Sequence, residues 1–545
     1  MSSSGTSQPW PWQDRPSILS AIRAWDGRTS LPLPDEPPAA NRVRYASGAL
    51  DGIVTHHLGS ASARDQADVV SSVLFSLERL ARTGGDHARG ALYELVMRGS
   101  VAAHADAIVD RLAEQRRLTR GEVRDAARWL IGAAAHREPL KLGIVLLGVS
   151  GEPEDVTELM LLGRHDEFTL YAAVAVANLV DDPTDLWWQM ARAVRGWGKI
   201  HLVERLAPLA ARRPDLAAWL LREGCANEVM NEYLAYLCAS EGGLGDALDA
   251  VTPEGADDAL IDGACRIVGA LLRGGPAEDI DSYADGARVV TALLGVLEKR
   301  CDRLPRLALV SSVRAWLRGG VGRTLALEDG VAAPPLELWQ AREAQGFTAE
   351  VRRALTARCE AVLARPAWRG QALAAYLGDD VRERRLAWQL GEAIGLDLWP
   401  VGLERLHAEP LEDSLWWELL QSSDPGRIAQ VVALAEAVLP LAAIATGPAD
   451  DLGRGPTYQA HTCLDFVLQE LGRHRVFSAA LTVAGLRSPT VRNRTLAAGL
   501  LEVVPPAQWS AEVVAALQRA AAEEPRPDLQ ARLAERLAEV GPARA

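Results

Sequence analysis

Lysine is almost missing from this chain: of 58 basic residues only Lys141, Lys199 and Lys299 are lysine. Phenylalanine is scarce too, with 5 residues against 16 tryptophans. This skew is what a GC-rich bacterial coding sequence produces, and it is read as background rather than function. The six cysteines, Cys225, Cys238, Cys265, Cys301, Cys359 and Cys463, lie far apart, with no C-x-x-C and no Cys/His group at zinc-ligand spacing. They are expected to be small buried apolar residues in a reducing compartment, with no metal site. A basic excess is absent, since the net charge is −14 and the isoelectric point near 5.3. That balance argues against a chain whose main task is neutralising phosphates. Long apolar runs are absent as well. LGIVLLGV, Leu142 to Val149, falls far short of the roughly 20 residues a membrane span needs. MSSSGTSQPWPWQDRP has no basic region leading into an apolar run, so no signal peptide is expected. A cytoplasmic location follows, and no cofactor is implied: neither G-x-x-x-x-G-K-[ST] nor a dinucleotide fingerprint after a strand is present.

What is present in abundance is alanine and leucine in helical patterns. The first 40 residues stand apart as an irregular Pro/Ser/Trp-rich leader, with one helix expected at Ile18 to Trp25. Trp10 and Trp12 are candidates to dock back on the helical body. Apolar residues at i, i+3, i+4 and i+7 predict helices over Arg64–Arg82, His104–Arg117 and Arg120–His136, the last with a capping box from Thr119 and Glu122. A closing helix is expected at Pro527–Val540. Loops rich in Gly, Pro and Asp are expected at Arg318–Pro335 and Thr446–Thr457. The first suggests a division into arrays at 41–320 and 321–545, continuous or hinged near 318–335.

Helix pairs recur about every 35 to 45 residues. SPTVRNRTLAAGLLEVV, Ser488 to Val504, has a polar turn, an Arg and an Ala/Leu-rich helix, and RHDEFTLYAAVAVANLV, Arg164 to Val180, shares its outline. Pro208 sits where a first helix would kink. In these features the chain resembles HEAT and armadillo-type helical repeats. The resemblance implies an all-α, right-handed superhelical solenoid with a long concave surface suited to an extended or large partner. It also implies a structural stacking role for Arg492.

Three clusters are candidate sites. On the helix from Gly198, at about 100° per residue, His201, Glu204, Arg205 and Pro208 share one stripe. On the expected next helix Asn227, Glu228, Asn231 and Glu232 form another, with Trp187, Trp188, Trp197, Lys199, Tyr233 and Tyr236 around both. Aromatic and Arg anchors dominate binding energy at protein interfaces, so this cluster is the first candidate for a partner protein, against the plain alternative of solvated helix faces. The second comprises Tyr458, His461 and Asp465, the His and Asp four apart on one face, where an i,i+4 contact outweighs acid/base chemistry. The third is basic: Arg473, His474, Arg475, Arg487, Arg492 and Arg494. Helical-repeat DNA glycosylases carry such residues on their inner face, which makes nucleic acid the alternative partner. The run VRERR, Val381 to Arg385, follows Asp379 and Asp380 and reads as a solvated face.

The expectation is a non-catalytic scaffold or adaptor, monomeric or a small homo-oligomer, binding another protein around Trp187–Glu232. The alternatives are a nucleic-acid-processing array or an enzyme using His201, Glu204, His461 or Asp465.

Overall fold

The computed structural model describes residues 10–27, 29–36, 45–52, 63–319 and 336–540. These form helices packed one after another along the chain, with no strand among them beyond an isolated bridge between Asp451 and Thr490. No described helix is long and apolar enough to cross a membrane. The described residues fall into two compact units, one ending at Arg365 and the other beginning at Pro366. Most of the loop expected at Arg318–Pro335 lies outside the described residues.

Local chemistry sets the helix ends. Ser17 caps Ile18–Ala24 by accepting from the Ser20 amide, and Thr119 and Glu122 close the expected capping box on Arg120–Ala133. The helices expected at Arg64–Arg82 and His104–Arg117 are Ala63–Thr83 and Ala105–Gln115. The apolar run starting at Leu142 becomes the buried centre of helix Arg137–Ser150. Neighbours cover it on two sides. A Cβ on Gly143 would lie 3.0 Å from Leu130, and one on Gly148 would lie 2.8 Å from the Ala175 backbone. Glycine at these two points lets Arg120–Ala133 and Thr169–Leu179 approach from opposite faces.

The leader is bound to this body. The Trp12 ring packs 5.2 Å from Tyr93 and 5.5 Å from Trp129, with Trp10 stacked on it at 5.3 Å. The Ile18 amide donates to the Ala134 carbonyl at 2.8 Å. Beneath the leader lies Lys141, its side chain 1% exposed. Its Nζ is 2.7 Å from Asp51, 2.7 Å from Glu167 and 2.8 Å from Glu138. Arg137 joins Glu167 to Asp35, and the Gly48 amide donates to Glu167 at 2.8 Å. Burial works to discharge Lys141, but the three carboxylates overrule it and hold its pKa above the ordinary lysine range. Burial likewise works to raise Glu167, yet Lys141 and Arg137 keep it low, while Glu138 stays raised by burial.

Arg–carboxylate pairs recur between successive helix pairs. Arg273–Glu232, Arg288–Asp246 and Arg306–Asp262 join residues 41, 42 and 44 apart. Arg306 is fully buried, held also by Asp258 and Asp302. In the second unit Arg494 makes a two-pronged pair with Glu524 at 2.7 and 2.9 Å, both side chains fully buried, and donates to the Ser488 and Pro489 carbonyls. Buried tryptophans fill the core with their N–H groups satisfied: Trp416 by the Pro410 carbonyl, Trp399 by Leu419 and Trp509 by Val504. The loop expected at Thr446–Thr457 is pinned to the turn before helix Val491–Val503, through Gly447 to Arg487 and Val491 to Asp451. The final helix runs Pro527–Ala538.

VRERR is not wholly a solvated face. Asp380 caps the helix Val381–Gly391, and Arg384 turns inward to Glu412 at 2.8 Å.

Replacing Lys141 with Met leaves three carboxylates around an apolar tip and is expected to cost about 3–5 kcal/mol. Lys141→Arg should also destabilise, because a close-packed site built around a point charge has no room for a planar fork. Urea denaturation followed by tryptophan fluorescence reads both. A K141M midpoint equal to wild type would show the network to be idle.

Candidate interaction surface

The helix carrying the first candidate stripe, Trp197–Leu206, begins where the Asp166 carboxylate accepts from the Gly196 and Gly198 amides, both at 2.9 Å. Burial raises the Asp166 pKa, and these hydrogen bonds oppose the rise. The stripe is divided: His201 faces the protein, Glu204 and Arg205 are half-buried, and Pro208 is exposed. Trp197, Lys199 and His201 are buried, because neighbouring helices cover this helix on both sides. Lys199 donates to the Glu223 carbonyl at 2.9 Å and lies 5.7 Å over the Trp219 ring; burial lowers its pKa. His201 Nδ1 is 3.8 Å from Glu204, and Arg205 donates to the His201 carbonyl at 2.7 Å. At Ala207, one residue before Pro208, the α-helix gives way to a 3₁₀ turn, Ala207–Arg212.

The second stripe is not on one helix. Residues 227–230 form a loop, followed by the short turn Asn231–Tyr233 and the helix Ala235–Glu241. Asn227 makes this loop: its Oδ1 accepts from the Val229 and Met230 amides, and its Nδ2 donates to the Cys225 and Met230 carbonyls. Asn231 accepts from the Asn227 amide at 3.1 Å. Both asparagines therefore serve the backbone. Glu232 pairs with Arg273 at 2.6 Å, while Glu228 stays exposed, 3.9 Å from Arg195. The two groups meet through Trp197, whose ring lies 5.2 Å from Tyr233. Trp187 donates to the Ala173 carbonyl, and Trp188 packs on Trp219 at 5.9 Å.

An open surface exists beside these residues. Three open clefts of about 730, 290 and 390 Å³ each include Ala193, the exposed last residue of helix Thr184–Ala193, in their lining, and together make up the surface termed the Ala193 trough. Of the residues singled out from the sequence, Trp188 and Glu228 line it. Its lining includes Met160, Leu161 and Met190, and part of its wall is the leader at Trp25 and Leu31 with Ser47 of the segment after it. His165 fixes that wall. Its Nδ1 accepts from the Glu167 amide at 3.3 Å, which leaves Nε2–H to donate to the Leu31 carbonyl at 3.2 Å. Burial lowers the His165 pKa, in keeping with a neutral ring.

Arg164 stands where two of the clefts meet, 5.8 Å over the Trp25 ring. It has no carboxylate partner among the described residues, whereas Arg23 and Arg128 on the same wall are paired with Glu158 and Asp155. Sequence reasoning passed over Arg164 as part of a repeat outline, and over Trp25 as the end of a leader helix. No local spacing brings these two together; the fold of the leader does.

The second candidate, around Tyr458, His461 and Asp465, is differently wired. Asn493 bridges it, donating to the His461 carbonyl at 2.9 Å and to the Asp465 carboxylate at 2.6 Å, with Arg492 3.4 Å away. The His461 ring instead packs 5.3 Å from Tyr458. Burial raises Asp465 to about 6, against the pull of Arg492 and Asn493. The basic cluster is largely consumed by pairing. Arg473 holds Glu470 and Gln421, His474 meets the Leu420 carbonyl at 2.7 Å, and Arg475 ends its helix in the left-handed region at φ 55°. The inward, stacking-type arginine is Arg494, not Arg492, which is largely exposed. No group of three or more His, Cys, Asp or Glu among the described residues is arranged to hold a metal, and all six cysteines are unbridged.

Compared with protein-family models, with curated proteins and with solved structures, the chain matches none.

The raised Asp465 pKa makes a signed prediction. A carboxyl held above its unfolded value near 3.9 contributes stability that is fully present below that pH and lost as pH rises through about 6. Between pH 4 and 7, Asp465→Asn should therefore gain on wild type by on the order of 2 kcal/mol. Paired urea titrations at the two pH values measure the change. A constant difference between the two proteins would contradict the assignment.

Proposed function

We propose that the protein is a binding scaffold that seats an extended segment of a partner protein in the Ala193 trough, and that it performs no covalent chemistry. The observation that carries this is the trough itself: three open clefts around Ala193, with Met160, Leu161 and Met190 in their lining and two guanidiniums, Arg164 and Arg192, that have no carboxylate partner among the described residues. Three open clefts around one exposed helix end offer room for an extended chain. Arg164 favours a segment that brings a carboxylate, since a partly desolvated Arg–carboxylate pair fixes register as well as adding affinity.

The same proposal extends to the architecture. Within each unit the helices follow one another as HEAT-like pairs in right-handed superhelical succession. The ion pairs joining residues 41 to 44 apart support a repeat of that length. A cytoplasmic setting fits six unbridged thiols. The pairing of Arg473, Arg492 and Arg494 within the fold weighs against nucleic acid as the partner.

Ala193→Arg fills the trough from an exposed helix end. Tagged wild type and A193R, purified from the native cell and resolved by mass spectrometry, give the test. A stoichiometric protein partner is expected on wild type, with recovery on A193R lowered about tenfold or more, while the two circular dichroism melts coincide. Equal recovery on the two baits would overturn the assignment to this trough.

A further inference from the structure

The second unit holds a separate open cleft of about 630 Å³, formed where helix Val381–Gly391, the turn after it, helix Trp399–Ala408 and helix Asp413–Leu420 meet. Three indoles line it: Trp388, Trp399 and Trp417. A tight turn shapes the mouth, with Gly395 at φ +67° and Gly391 placed so that a Cβ would lie 2.8 Å from the Leu396 carbonyl. Clefts of this size suit small ligands or single side chains.

The charges of the wall are distributed unevenly. Glu412 collects two arginines, Arg384 at 2.8 Å and Arg405 at 3.2 Å. Glu418, which lines the cleft and is 5% exposed, is left with no cation at ion-pair distance. The Tyr376 phenol approaches it without closing an ordinary hydrogen bond. A buried carboxylate without a counter-ion is costly, and here burial, with Glu412 adding to it, pushes Glu418 up to about 7 against the pull of Arg384 and Arg385.

Several other polar groups of the wall are already engaged. Gln421 donates to the Trp417 carbonyl and accepts from Arg473; the Trp399 N–H donates to Leu419; Asp397 holds Arg427. Arg427 in turn lies 4.9 Å over the Trp399 ring, so one indole of this cleft already carries a cation on its face. What the cleft offers a guest is indole surface and two carboxylates without a cation partner among the described residues, Glu418 buried in the wall and Glu392 exposed at its edge. A ligand that needs many hydrogen bonds is poorly served by it, whereas a cation with no N–H to satisfy is well served.

We propose that this cleft binds a quaternary trimethylammonium group, seated among Trp388, Trp399 and Trp417 with Glu418 as its counter-ion. Free small molecules such as choline and the trimethylated lysine of a protein present the same chemistry. Binding of the cation favours the ionised form of Glu418, so affinity rises with pH as that carboxyl loses its proton.

The test uses the full-length protein, titrated by calorimetry and tryptophan fluorescence with choline, with a trimethyllysine peptide and with 3,3-dimethylbutan-1-ol, the neutral isostere of choline. Saturable binding of at least one cation is expected, with the isostere about tenfold weaker or more. Cation affinity should fall several-fold from pH 8 to pH 6, with Glu418→Gln weak at both pH values. If choline and the peptide both bind, the tighter identifies the source. Trp417→Leu, on the half-buried wall, should weaken cation and isostere alike, and it serves if E418Q melts early. Equal binding of choline and its isostere, a pH-independent cation affinity, or no saturable binding of either cation at about 10 mM, far weaker than a functional site would show, overturns the proposal.

Discussion

One buried ammonium holds the first unit in its form. Lys141 is enclosed by Asp51, Glu138 and Glu167, and through Glu167 it reaches Arg137, Asp35 and the Gly48 amide. Two of these carboxylates come from the leader and the short segment after it, and the rest from the helical body. In a low-dielectric interior such an arrangement is stable only while complete, since each charge is tolerable because of the others. The network is thus an all-or-none clasp. It ties down the leader and the short segment after it, which in turn supply Trp25, Leu31 and Ser47 to the trough.

Arginine is the default cation of this chain, yet Lys141 and Lys199, two of its three lysines, are buried. A compact ammonium fits beneath one carbonyl and an indole, as at Lys199, while three carboxylates are met by an ammonium at Lys141 and by a guanidinium at Arg306. The same chain uses arginine where a fork is wanted, as in Arg494 with Glu524.

The helices were legible because their information is local. Thr119 and Glu122 form the cap their spacing predicts, Ala63–Thr83 follows its apolar periodicity, and Trp10 and Trp12 dock on the body as expected. The candidate surface was less legible because its information is tertiary. The stripe through His201 looked solvated, since a helix covered on both sides reads like one covered on one side when its second face contains a His and a Lys. Asn227 carried a local signal that was missed: asparagines four apart compete with the helix for backbone groups, and here they win. Trp25 and Arg164 are distant in sequence and meet because the leader packs on the helical body.

The central claim is that the buried Lys141 cluster holds the leader that walls the trough. Amide hydrogen exchange on wild type and Lys141→Met, compared peptide by peptide, tests it most directly. The account predicts that the Gly48 and Val101 amides, which donate to Glu167 and Glu138, lose protection together with the segment carrying Leu31, while helix Val491–Val503 in the second unit keeps its own. Wild-type exchange rates at Gly48, Val101 and Leu31 in the variant would contradict it.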